Sequence, residues 1–191
     1  MNPEARPRGF TLTELMMVVA IVGVLAAMAS VFMQPRITAI DVATRVGDLF
    51  REANRRAVAL GPVRADVALN IATKARTRVR GVSAGPRPTF VLERLQEDAS
   101  PATSAVWIAV MQYTVVRDVV AESWGAAVGS HSALSRSVDW TSFEARCYPD
   151  GTCDPHTLFF EAARPGAETE RYARLSIMPL GGAIMTRRDW N

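Results

Sequence analysis

The spacing of apolar positions changes twice along the chain. From Leu15 to Pro35 no side chain is charged, so a helix drawn through this run is apolar on every face. At 1.5 Å per residue, about 21 residues cross a hydrocarbon core of about 30 Å, and the run predicts a membrane-crossing helix. Pro35 lacks an N–H and crowds the turn before it, so a kink or brief break is expected between Val31 and Pro35. Beyond it Ile37, Ile40, Ala43, Val46, Phe50, Ala53, Ala57 and Leu60 recur at spacings of three and four, the stripe of an amphipathic helix. Asp41 with Arg45 and Glu52 with Arg56 supply i,i+4 pairs on the wet side. Gly61-Pro62 ends the helix. Such a stripe packs on the chain's own domain and leaves the upper end of the helix for neighbours.

From Val63 the period falls to two. Val63, Ala65, Val67, Leu69 and Ile71 share one face of a predicted strand. Lys74, Arg76, Arg78 and Arg80 alternate with Ala75, Thr77 and Val79 in a second strand with a basic outer face. Residues 83–88, Ser-Ala-Gly-Pro-Arg-Pro, read as a turn or loop. Strands are predicted at Thr89–Leu95 and Ala105–Val116, and a polar stretch from Ala121 to Ser137 reads as a long surface loop. Four more strands follow: Val138–Cys147, Thr157–Ala162, Arg171–Met178 and Ala183–Arg187, with Gly181-Gly182 as a hairpin signal between the last two. The expected fold is therefore α+β: a long N-terminal helix, its first half apolar and its second amphipathic, packed on a C-terminal antiparallel β head. The boundaries are 10–35 for the apolar half, 36–61 for the amphipathic half and 62–191 for the head.

Ahead of the apolar run a short leader with Arg6 and Arg8 meets the junction Gly9-Phe10, and Glu14 sits just inside the run's N-terminal edge. A carboxylate in that place is costly unless partnered, which makes it a functional candidate. A secretory signal peptide shares the order basic, apolar, cleavable, but it wants a small-residue site after an apolar core of about 7–15 residues. Here the run is longer, and the most cleavage-like junction precedes it. Gly9-Phe10-Thr11-Leu12-Thr13-Glu14-Leu15, continuing to Ala27, resembles the N-terminal segment of type IV pilins and type II secretion pseudopilins. The resemblance implies that residues 1–9 are a leader, that a prepilin peptidase cuts between Gly9 and Phe10 and methylates the new Phe10 amine, and that the helix becomes filament core. It also implies that Glu14 of one subunit meets the Phe10 amine of the next. Within one helix the two are four residues apart and can also be neighbours. Either pairing offsets the cost of withdrawing both charges from water, and removing one partner strands the other.

Charge and cysteines add the compartment. The formal net charge is +3; Arg6 and Arg8 against Glu4 put +1 of it in the leader, leaving +2, too little by itself to imply nucleic acid. The basic leader places the N-terminus in the cytoplasm. By the family analogy this is a single-pass inner-membrane protein with a periplasmic head. Cys147 and Cys153 enclose the turn-forming Tyr148-Pro149-Asp150-Gly151-Thr152, and a disulfide is the leading reading in an oxidising compartment. Two free thiols on adjoining strand ends is the alternative. A zinc site of Cys147, Cys153 and His156 lacks a clear fourth ligand.

Phe143 to Thr152, with Leu158-Phe159-Phe160, resembles the strand, Pro-Asp-Gly-Thr, strand element of the GspH/FimT-like minor pseudopilins and minor pilins. Arg174-Leu175-Ser176-Ile177 and Gly181-Gly182-Ala183-Ile184 are similar to the closing hairpin of that group. Many such proteins place a cysteine in the final strand and this chain has none there, so the family's disulfide pattern is not carried over. The implied function is a structural subunit of a type IV pilus or type II secretion pseudopilus, or of its initiating complex. Its partners would be the prepilin peptidase, other (pseudo)pilins and the inner-membrane assembly platform. No cofactor, metal or catalytic residue is expected. His131, beside Ser130 and Ser132, and His156, after Pro155, read as surface loop residues, and Asp150 as a turn residue; no nucleophile motif or phosphate-binding glycine loop is present. The alternative is a minor pilin that contacts DNA through Lys74, Arg76, Arg78 and Arg80, with Arg87 nearby. Against it stands the tendency of alternating charges on an exposed strand to guard an edge.

Overall fold

A computed structural model describes residues 11–32, 37–63, 75–96, 106–163, 171–179 and 184–190. The chain divides into two compact units, Met1–Arg36 and Ile37–Asn191. The first contains one helix, α1, Leu12–Phe32. The kink expected between Val31 and Pro35 falls largely on residues 33–36, outside the described residues.

The second unit begins with helix α2, Ala39–Leu60. Strands follow in this order: β1 Thr77–Gly81, β2 Thr89–Gln96, β3 Val106–Thr114, β4 Val119–Gly125, β5 Arg136–Ser137, β6 Glu144–Cys147, β7 His156–Ala162, β8 Tyr172–Ile177 and β9 Ile184–Arg187. They form two antiparallel sheets, ordered β3-β2-β1-β6 and β5-β4-β7-β8-β9. The architecture is α+β, with the antiparallel strands C-terminal to the helices as the sequence predicts. The strand predicted over Val63–Ile71 lies almost wholly outside the described residues, as does the Gly181-Gly182 turn.

Helix α2 contacts β1 and β2 of one sheet and β7, β8 and β9 of the other. Two flanking sheets cover a wider arc than one stripe supplies, so Ala39, Val42 and Leu49 are buried together with Ala43, Val46, Phe50, Ala53 and Ala57. Leu60, at the end of the expected stripe, is exposed. Gly47 lets the second sheet close on the helix: a Cβ there would lie 3.2 Å from Leu175 Cδ1 and 3.3 Å from Ile184 Cγ2. Asp41 does not pair with Arg45. Its carboxylate is taken by the N-cap, where Thr38 donates from its backbone N–H and hydroxyl. Glu52 does meet Arg56, and Arg55 as well.

Between the sheets lies a knot of rings. Phe143 is its centre, with Phe50, Phe90, Trp124, Trp140 and His156 around it at centroid separations of 5.2 to 6.3 Å, mostly edge to face, the arrangement aromatic quadrupoles favour. Trp140 packs on Phe90 of β2, and its indole N–H donates to the Ala121 carbonyl of β4 at 3.3 Å, so one side chain touches both sheets. Gly81 makes room for it: a Cβ at that position would sit 2.0 Å from the Trp140 carbonyl oxygen.

Three expectations for the head need correction. The stretch Ala121–Ser137 is not one long loop, since Val119–Gly125 forms β4 with every second residue buried. Small inward residues, Ala121, Ser123 and Gly125, hide that period from a reading by hydrophobicity. The strand expected over Val138–Cys147 is broken by a 3-10 turn at Trp140–Ser142, capped by the Asp139 carboxylate, and only Glu144–Cys147 is a strand. Finally, β1 is not an edge: it pairs with β2 on one side and β6 on the other.

Candidate assembly site at the first helix

Apart from Glu14, α1 carries no charged side chain, and its large side chains, from Leu12 to Met28, are exposed in the single chain. Residues Leu12–Ala29 are long and apolar enough to cross a membrane by length and composition. A helix that is apolar on every face calls for an apolar surrounding, such as a bilayer or neighbouring helices.

The start of α1 has a geometry that the sequence reading missed. Thr11 is the residue before the helix, and its backbone N–H and hydroxyl both donate to Glu14 Oε2, at 2.9 Å each. The Glu14 N–H donates back to the Thr11 hydroxyl at 3.2 Å. This is a capping box, Thr-x-x-Glu, and that spacing in Thr11-Leu12-Thr13-Glu14 was the available signal. One carboxylate oxygen is thereby fixed against the helix start. Oε1 has no partner among the described residues. A free N-terminal helix end favours negative charge, so the carboxylate sits where the backbone also holds it. Gly9 and Phe10 lie outside the described residues.

A family model, that of the prokaryotic N-terminal methylation motif, matches residues 5–30. The match takes in residues 5–9, the Gly9-Phe10 junction, the Thr11–Glu14 box and most of α1. The chain carries the N-terminal signature of type IV pilins and pseudopilins. No curated protein and no solved structure gives a significant match. A pilin-type start implies processing by a prepilin peptidase and assembly with other pilins, and α1 is consistent with the membrane anchor of such a subunit. The motif belongs to structural proteins.

The remaining candidates lie in the second unit. Cys147 and Cys153 are bonded to each other, S–S 2.03 Å, which takes both sulfurs out of a zinc reading. The loop they close carries the chain from β6 in one sheet to β7 in the other. Gly151 N–H donates to the Tyr148 carbonyl and Asp150 accepts from Thr152, with Gly151 at φ 83°, a turn that uses Pro149, Asp150 and Gly151 in their usual positions. Asp154 completes the crossing: it accepts from the Arg146 N–H at 3.1 Å and the Tyr148 hydroxyl at 3.1 Å.

The basic residues of the second strand do not form a free cationic strip. Arg78 and Arg80 both donate to Glu93 of β2, at 2.6 and 2.8 Å, and Arg78 reaches Glu144 of β6 at 3.1 Å. The Arg78 guanidinium lies over the Trp107 ring. Arg76 is buried and its carbonyl accepts from Leu95 N–H; Lys74 lies outside the described residues. The alternating arginines of β1 are matched by carboxylates on both neighbouring strands, as an interior strand with a half-covered outer face requires.

His131 lies in a turn, half-buried, but His156 is not the surface loop residue expected. His156 opens β7 and is buried against Trp124 and Phe143, its Nδ1 3.2 Å from the Asp154 carbonyl. Burial pulls its pKa below the ordinary histidine value. His131 stacks on Trp190 at 4.3 Å and meets Glu122 and Arg136. Ser130 and Ser132 contact each other, and among the described residues no serine hydroxyl bonds a histidine nitrogen.

Proposed function

We propose that this chain is a minor pilin or pseudopilin of the GspH/FimT-like kind. On this reading it is cut between Gly9 and Phe10, methylated on Phe10, held in the inner membrane by α1 with its head in the periplasm, and passed by an assembly platform into a filament or its initiating complex. The observation that carries the reading is a single carboxylate, Glu14, at the start of an otherwise uncharged helix inside a matched methylation motif. A capping box needs no charge at its fourth position, because glutamine completes it as well. A full charge at the edge of an apolar rod points to a cation elsewhere, and cleavage before Phe10 creates one. With Oε2 committed to Thr11, Oε1 is the oxygen that receives the amine of a neighbouring subunit. The disulfide supports a head in an oxidising compartment, and the crossing it closes supports the minor-subunit resemblance. Nothing in the head's histidine or serine geometry supports an enzymatic role, and the ion-paired β1 supports no DNA role for that strand.

Intact-mass and N-terminal analysis of assembled material tests the processing step. The expected product begins at a methylated Phe10. A chain that retains Met1, or one cut beyond α1, overturns the assignment.

A further inference from the structure

Two exposed arginines share one open cleft. Arg87 stands between Pro86 and Pro88, whose rings fix their own φ. The Pro86 carbonyl accepts from Ala121 N–H at 2.8 Å and the Pro88 carbonyl from Val115 N–H at 3.1 Å. Arg117 stands at the tip of the β3–β4 turn, closed by Val119 N–H to the Val116 carbonyl at 3.2 Å. The next carbonyl, of Asp118, accepts from Ala163 N–H at 2.8 Å and ties in the end of β7. Arg87, Arg117, Asp118 and Ala163 line a cleft of about 360 Å³. Arg51, Arg56, Arg78, Arg80 and Arg174 each meet a carboxylate, whereas Arg45 and Arg94 form no ion pair among the described residues, so it is the shared cleft that sets Arg87 and Arg117 apart. Arg87 and Arg117 make no hydrogen bond or ion pair among the described residues, although the backbone under both is cross-tied.

We propose that this cleft binds a phosphate group carried on a larger molecule. Guanidinium groups present forked N–H donors that match phosphate oxygens in pairs. One fork serves a flat carboxylate, whereas two forks from separate turns suit a tetrahedral group with several free oxygens. The volume exceeds that of phosphate alone and reaches the lower range of small-molecule sites, about 300–1,000 Å³. Among the described residues that line it, two cations stand against one carboxylate, that of Asp118. Because Asp118 opposes an anion, neutralising it strengthens binding, a sign that a merely structural arginine pair does not give.

The phosphate is either that of a soluble ester or that of an anionic lipid headgroup. The test uses the full chain in nanodiscs of phosphatidylcholine or of phosphatidylglycerol, with arginine side-chain NMR signals followed as inorganic phosphate is added at constant ionic strength. A saturable shift in phosphatidylcholine discs, about tenfold weaker in Arg117→Gln and tighter in Asp118→Asn, assigns the cleft to soluble phosphates. The same shift already present in phosphatidylglycerol discs before any phosphate is added, and lost in Arg117→Gln, assigns it to lipid. No saturable shift in either disc, or an equal shift in Arg117→Gln, overturns the proposal.

Discussion

Helices α1 and α2 begin with the same three hydrogen bonds. Thr11 and Glu14 make them at the start of α1, at 2.9 to 3.2 Å, and Thr38 and Asp41 at the start of α2, at 2.7 to 3.3 Å. Behind the caps the helices differ. α2 has one buried arc and a charged outer side where Arg51 meets Asp48 and Arg55 meets Glu52. α1 has no such sides, and Glu14 is its only charge. On the proposed function, identical local chemistry serves two purposes. In α2 the acid closes a helix that two sheets already hold. In α1 it would recognise a cation, because no other side chain on the helix carries a charge.

The largest expected effect separates these two purposes. Glu14→Gln keeps an acceptor for Thr11 and removes the charge, whereas Glu14→Ala removes both. If the charge is what docks the subunit, both variants lower incorporation into filaments by at least about 200-fold, the equivalent of about 3 kcal/mol for a stranded charge, with Phe10 still processed. Filament yield by pull-down against an epitope-tagged co-subunit measures it. Normal incorporation of Glu14→Gln would reduce Glu14 to a cap.

Next in size is a change confined to the head. Gly81→Ala places a methyl carbon against the Trp140 carbonyl, with rigid backbone on both sides. Overpacking of this kind costs about 1–3 kcal/mol, read as a lower urea midpoint. Processing at Gly9-Phe10 should be unchanged, since that site lies in the other unit.

How much of this was legible in the sequence follows from where the information is local. The apolar run, the Gly9-Phe10 junction and the α2 stripe each announce themselves within a few residues, and the matching elements formed where the period predicted. The strand pattern held where inward positions were large, as in Phe90 and Leu92 of β2, and failed at β4, where Ala121, Ser123 and Gly125 turn inward. The place of β1 inside its sheet was not legible, because Glu93 and Glu144 come from strands 13 or more residues away and nothing near Arg78 or Arg80 names them. His156 was misjudged for the same reason: Pro155 suggests a loop, and the rings that bury it are supplied by β4 and by Phe143.

That buried histidine gives a smaller, pH-dependent effect. Desolvation holds its folded pKa below the ordinary value of about 6.5. Below that pH the unfolded chain takes up a proton that the folded chain refuses, so stability is complete above about pH 6.5 and declines as pH falls toward the folded value. The slope from this one group is at most about 1.4 kcal/mol per pH unit. Denaturation midpoints for wild type and His156→Phe between pH 7.5 and 5.0 check it, and the variant's curve should be flatter. Equal slopes would mean that the ring is hydrated in the folded head.

The smallest effect belongs to the second cap and completes the contrast. Asp41→Ala removes the carboxylate that Thr38 donates to and leaves the Thr38 hydroxyl in place to accept from the backbone at residue 41. The expected loss is about 0.5–1 kcal/mol of head stability. Hydrogen bonds from Thr38 hold the Asp41 pKa below the usual carboxylate value. Its contribution is therefore complete above about pH 4 and disappears as pH falls through the folded value. Filament incorporation should stay within twofold of wild type, because this acid is one charge among many and meets no neighbour's amine. Should Asp41→Ala block assembly as severely as Glu14→Ala, the two caps would share one structural role, and the case for Glu14 as a docking charge would lose its control.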